Sequence, residues 1–271
     1  MDITEMRMQA KMHLRNHKLT MIYVCLIIGL INFIPNVLPN TTIGNSLSLI
    51  LILLLVPMNH GYVTSSLKFV RGLGDQVDEK KDGFVGILRF KDLFTTYFLQ
   101  EVLSALPLLI VGIAGLLLNA ARLHDLPSLL ANPSAYIASM NLEKIPSYYF
   151  VLVFASLCLT FWLTMRLAMT GYLLEAKGFK NFSACKQSFQ MMKGYCWQYF
   201  KLLFSYILWI FLAMLLQNSI MSLLPGIIGA CLAGIVSVMF QAYTYLPEQN
   251  VAVAVMFMRL LNIYNMNDDN L

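Results

Sequence analysis

Six apolar runs, each long enough to cross a lipid bilayer, dictate what this chain can fold into. They are Leu19–Leu38, Ile43–Val70, Leu93–Leu118, Tyr148–Tyr172, Tyr199–Ile220 and Gly226–Leu246. About 20 predominantly apolar residues cross the ~30 Å hydrocarbon core, where each backbone polar group must be satisfied within the protein. The expectation is an all-α polytopic membrane bundle with six transmembrane helices in a single membrane domain. Composition agrees: 58% of the 271 residues are hydrophobic and 12% charged, about half the charged share of a soluble domain. Mean hydropathy is +0.67. In water such a chain would expose more apolar surface than a monodisperse protein tolerates.

The 19 Lys and Arg residues orient these helices. The second connection, Arg71–Asp92, carries Arg71, Lys80, Lys81, Arg89 and Lys91; the fourth, Leu173–Gln198, carries Lys177, Lys180, Lys186 and Lys193. The first and fifth connections carry none, and the third, Asn119–Ser147, holds only Arg122 and Lys144. Loops rich in Lys and Arg stay on the cytosolic side. Both termini and the even-numbered loops are therefore expected in the cytosol, with the chain in the plasma membrane. The net charge of +5 flanks apolar runs and forms no dense patch. That argues for an anionic lipid leaflet as partner, leaves a protein partner open, and argues against nucleic acid. The first run begins at Leu19 without a small-residue cleavage site after it, and reads as a retained anchor.

Each outward span is preceded by a mixed apolar and basic segment, which predicts interfacial helices over about residues 4–17, 82–92 and 183–194. Aromatic residues recur where the third and fifth spans enter the membrane: Phe94 to Phe98 resembles Trp197 to Phe200. The pattern suggests a three-fold direct repeat of interfacial helix, span out and span back, although aromatic belts also flank unrelated spans. In the third connection, Leu126 to Ala138 reads either as a short surface helix or as a loop packed on the bundle. The tail, about residues 251–264, is too short to span and is interrupted by Arg259. It reads as a kinked continuation of the sixth span beyond Pro247 or as a separate interfacial helix.

The stretch from Ala184 to Phe200 carries a Ser-x-x-x-Met-Lys-Gly-x-x-Trp-x-x-Phe pattern, with Ser188, Met192, Lys193, Gly194, Trp197 and Phe200 in its places. It resembles the signature of an uncharacterised family of integral membrane proteins, mostly of Gram-positive bacteria, catalogued as domain of unknown function nine-seven-five. Glu5-Met6-Arg7 with Ala10, Leu14 and Asn16 is similar to the family's N-terminal amphipathic helix. Pro57, Gly61, Phe69 and Arg71-Gly72 resemble its Gly-Pro-x-x-x-x-Gly run, with Val56 where Gly is usual. The resemblance implies six spans and supplies no catalytic residues.

Ionisable groups inside spans are costly, so each is a candidate site. Glu101 lies eight residues into the third run, about 12 Å along a helix. Arg166 is six residues before the end of the fourth, roughly 9 Å from it, and His60 is eight residues before Lys68. Gln100 and Gln241 share that level. One reading is a cytosol-facing polar pocket of Glu101, Arg166 and His60 for an anionic headgroup, a solute or a proton. The other is a structural Glu101–Arg166 ion pair. Pro57 and Gly61 are expected to break the second span, as a gate or a packed kink.

No GxSxG, HExxH, P-loop or GxGxxG motif occurs, so no catalytic residue is assigned. Cys25, Cys158 and Cys231 lie in apolar runs and Cys185 and Cys196 in a basic segment, without CxxC or metal-ligand spacing. They read as small apolar side chains, and neither metal nor cofactor is expected. The function expected is that of a non-enzymatic accessory, scaffold or envelope protein, with transport or lipid binding at the polar cluster as the alternative.

Overall fold

The computed structural model describes residues 2–38, 41–118, 147–224 and 226–268. Among them every regular element is helical. In chain order these are α1 (Ile3–Leu14), α2 (Lys18–Phe33), α3 (Thr42–Leu55), α4 (His60–Val70), α5 (Glu79–Gly83), α6 (Val85–Leu88) and α7 (Phe90–Leu118). They continue with α8 (Ser147–Leu167), α9 (Thr170–Lys177), α10 (Asn181–Met191), α11 (Cys196–Phe204), α12 (Ile207–Leu223), α13 (Ile227–Thr244) and α14 (Leu246–Asp268). Arg122, Lys144 and the segment Leu126 to Ala138 lie outside the described residues.

Lys18–Val37, Ile43–Val70, Phe90–Gly115, Tyr148–Lys177 and Ile227–Thr244 are each long and apolar enough to cross a membrane. α11 and α12, bent by 48° at their junction, make a sixth when taken as one span. The architecture is an all-α polytopic helical bundle. In each of the first five candidates only 11–33% of the apolar window is buried inside the protein. The remainder, with Phe154, Val151, Leu208 and Ile228 among the most exposed side chains, is a surface suited to lipid and not to water.

The packed core lies at one end of the bundle. Its centre is α14, where Val251 through Phe257 are all buried, as are Leu260 and Leu261. Around it sit α1, α4, α11 and α13, contributing Met6, Ala10, Phe69, Leu202 and Ala242 among others, with Tyr206 from the junction of α11 and α12. Of the two expectations for the tail, the structure has the bent continuation of the sixth apolar run, and the continuing helix is packed as core. Pro247 interrupts no helix: the chain bends at Tyr245, and Pro247 falls in the first turn of the new helix, where a missing N–H is harmless. Glu248 and Arg259, which make the tail look interfacial, both turn towards α1. Glu248 accepts from Arg7 Nε at 2.9 Å and from the Tyr206 hydroxyl at 3.1 Å. Arg259 donates to both oxygens of Glu5, at 2.6 and 3.2 Å, and to Gln9. The N- and C-terminal helices are thus clasped antiparallel.

Elements recur ahead of the first, third and fifth spans, but not as equals. α1 has 12 residues and α10 has 11, whereas two short helices, α5 and α6, take that place before α7. Aromatic ladders open both later spans: Phe90, Phe94 and Phe98 stack at 5.0 and 5.6 Å, and Trp197, Phe200 and Phe204 at 5.2 and 5.6 Å.

Candidate functional site

The second span interrupts its own helix. α3 ends at Leu55, a 3₁₀ turn runs from Val56 to Asn59, and α4 restarts at His60. Pro57 has no N–H to give the α-helical ladder, which is the local cause. The break is held by backbone that comes unusually close. A Cβ on Gly86 would stand 2.6 Å from the Pro57 carbonyl oxygen, and one on Gly61 would stand 2.5 Å from that of Asp82. Only glycine allows α5 and α6 to nest there.

At this break His60 is fully buried. Its Nδ1 lies 2.8 Å from the Tyr97 hydroxyl on α7, and its Nε2 lies 3.0 Å from Glu175 Oε2 on α9. The same carboxylate oxygen accepts from Arg89 Nη1 at 2.8 Å. A neutral ring with its proton on Nε2 satisfies every member: Nε2–H donates to Glu175, and the Tyr97 hydroxyl donates to Nδ1. The result is a chain of four side chains running from half-exposed Arg89 through Glu175 and the sealed His60 to buried Tyr97.

A cleft of about 880 Å³ opens beside this chain, lined by Lys68, Asp78, Asp82, Arg89 and Glu175 among others. Lys68 Nζ donates to both oxygens of buried Asp82 at 2.7 Å. Asp78 caps α5, and the N–H groups of Lys81 and Lys80 hold its carboxyl below the usual carboxylate range. Among the described residues no group of three or more His, Cys, Asp or Glu is placed to hold a metal ion.

The polar residues expected to meet in one cluster are separated. Tyr149 donates to the Val111 carbonyl and Tyr97 packs on Gly171, so α7 runs antiparallel to α8 and α9. Counting along both helices puts Glu101 and Arg166 at similar depth. They nevertheless face different ways and form no ion pair. Arg166 Nη1 donates to the Phe189 carbonyl at 2.9 Å, and its guanidinium lies over the rings of Trp162 and Phe189. Glu101 is exposed on α7 and has no side-chain partner among the described residues. Gln100 Oε1 is buried without a partner among the described residues. Gln241 is on α13, donating to Ser237 and accepting from the Tyr245 hydroxyl. Of these residues only His60 joins the buried chain; Glu175, Arg89 and Tyr97 complete it. Glu175 and Arg89 escape sequence reasoning because they lie outside the apolar runs, and Tyr97 because it resembles an interfacial aromatic.

The signature residues explain themselves by packing. The fourth span breaks between α8 and α9, and Ser188 mends it, its Oγ donating to the Arg166 carbonyl and accepting from the Met169 N–H. Met192 is fully buried in the hub, Gly194 turns the chain at φ +86°, and Lys193 is exposed. Trp197 and Phe200 begin the aromatic ladder, with Lys201 over the Trp197 ring. Residues 1–257 match the family described as Protein of unknown function (DUF975). The chain belongs to this family. In this chain the Ser188-to-Phe200 pattern forms the splice between the fourth and fifth spans. No curated protein and no solved structure matches the chain.

Proposed function

We propose that this chain is a non-enzymatic accessory or scaffold protein of the plasma membrane, with both termini cytosolic and the hub seated on an anionic leaflet. One observation carries the reading. Of the acidic side chains at the hub end, Glu5, Asp82, Asp92, Glu175 and Glu248 are engaged by Arg259, Lys68, Lys180, Arg89 and Arg7. Asp2 and Asp78 cap helices and Asp75 meets His17, which leaves Glu79 without an ion pair among the described residues. Arg15, Lys18, Lys177, Lys186 and Lys193 are exposed and form no ion pair among the described residues. The balance of uncompensated charge is positive and sits where the spans end, which suits lipid phosphates or an acidic partner. His60 has both ring nitrogens occupied and no access to solvent, which favours a structural tie over a catalytic base.

Lipid analysis of the protein extracted in mild detergent tests this. Phosphatidylglycerol is expected to be enriched over its share of the membrane, with each basic residue near the surface contributing about 1 kcal/mol. The double variant Lys186→Glu, Lys193→Glu should lose much of that enrichment. No enrichment, or enrichment indifferent to the reversal, overturns the reading. A cysteine placed at Lys193 should react with an impermeant maleimide in inverted vesicles only; labelling in intact cells refutes the orientation.

A further inference from the structure

Between the first, second, fifth and sixth spans lies a cavity of about 320 Å³, lined by Asn32, Asn36, Tyr62, Gln217, Ser237 and Gln241 together with apolar residues such as Phe33. It is separate from the His60 chain and from the basic face of the hub. No Asp, Glu, Lys, Arg or His lines it. Phe33 of α2 packs on Gly234 of α13, which places the cavity well inside the spans, with exposed Asn36 at the end remote from the hub.

Half of these polar side chains have partners. Asn32 donates to Asn59, and Gln241 bonds Ser237 and Tyr245. Asn36, Tyr62 and Gln217 have no side-chain hydrogen bond among the described residues. In hydrocarbon an unpaired amide or phenol is expensive, so groups of this kind are kept where something polar meets them. The volume suits a small organic ligand, well beyond one or two waters at ~30 Å³ each. A charged ligand would lose its hydration there without a counter-charge. Amides and a phenol both donate and accept, as hydroxyl groups do. The rings of Phe33 and Tyr62 offer apolar faces to the C–H surface of such a ligand.

We infer that this cavity binds a neutral, hydroxyl-rich ligand of monosaccharide size, either a free sugar or the sugar headgroup of a glycolipid. The inference stands apart from the scaffold reading, since it uses none of the basic residues. Its test is native mass spectrometry of the full chain in phosphatidylcholine nanodiscs. One arm contains monoglucosyl diacylglycerol, a second millimolar glucose, and a third phosphatidylglycerol. Retention of the glucolipid alone assigns a lipid headgroup, and retention of glucose assigns a free sugar; both support the inference. Gln217→Leu and, at the exposed mouth, Asn36→Leu should each weaken retention about tenfold. Gln217→Glu, which keeps the size but adds charge, should weaken it as well. An unchanged unfolding temperature in at least one variant separates lost binding from lost folding. Retention of neither sugar probe, retention indifferent to all three variants, or phosphatidylglycerol bound in a way those variants abolish, overturns it.

Discussion

Around His60 a charged Arg89–Glu175 pair and two neutral rings are joined by hydrogen bonds; in the cavity between the first, second, fifth and sixth spans the polar groups are neutral and, at Asn36, Tyr62 and Gln217, unpaired among the described residues. Both clusters sit among apolar helices, so both carry a desolvation cost. The first offsets it internally, because Arg89, Glu175, His60 and Tyr97 each find a partner from a different element. The second turns neutral hydrogen-bonding groups towards a cavity. A closed chain with an ion pair ties elements together, whereas a neutral polar lining ties fewer of them. The same contrast separates Lys68–Asp82 and Glu248–Arg7, which stitch the hub, from the exposed lysines of α10 and the turn after it.

Substitutions can break this comparison. The largest effect is expected from His60→Leu, which strips Glu175 of one donor and leaves the Tyr97 hydroxyl buried and unpaired. A loss of about 2–4 kcal/mol is expected in denaturant unfolding in mild detergent. A double-mutant cycle with Glu175→Gln should show coupling; strict additivity would mean that the chain is not a unit. Arg259→Ala removes the clasp on Glu5 and Gln9. Those groups are partly exposed, so the loss should be only about 0.5–1 kcal/mol. Limited proteolysis should still release the N-terminal helix sooner, and an unchanged cleavage rate would show that α1 is held by packing alone. Gln217→Leu should be smallest, leaving stability unchanged or slightly raised, because it removes an unpaired polar group. A loss above about 1 kcal/mol would mean that Gln217 is structurally paired and that the two clusters do not differ in kind.

The hub helix shows where sequence reading stops. Glu248 and Arg259 interrupt an apolar stretch and make it look interfacial. They are eleven residues apart, about three turns, and so lie close to one face at 3.6 residues per turn. That face meets α1, and the rest of the helix is free to be core. The periodicity is present in the sequence, but the charged partner that makes it harmless, Arg7 or Glu5, is more than 240 residues away. Glu101 and Arg166 fail in the opposite sense. Depth follows from counting along an antiparallel pair, but azimuth does not, since it depends on which side of α8 faces α10. There Trp162 and Phe189 take up the guanidinium instead.

Apolar run length alone determined the helical, polytopic class, because a bilayer-crossing segment has no other way to satisfy its backbone. The distribution of Lys and Arg also set an expected orientation, and the Ser188-to-Phe200 pattern pointed to the family. Only the tertiary structure decided which polar groups pair. It joined His60 to Glu175 and through it to Arg89, turned Arg166 away from Glu101, buried the C-terminal helix, and left a neutral cavity between four spans. Pairing is set by rotation of helices about their axes and by contacts between residues far apart in sequence. A linear reading of hydropathy and charge carries neither.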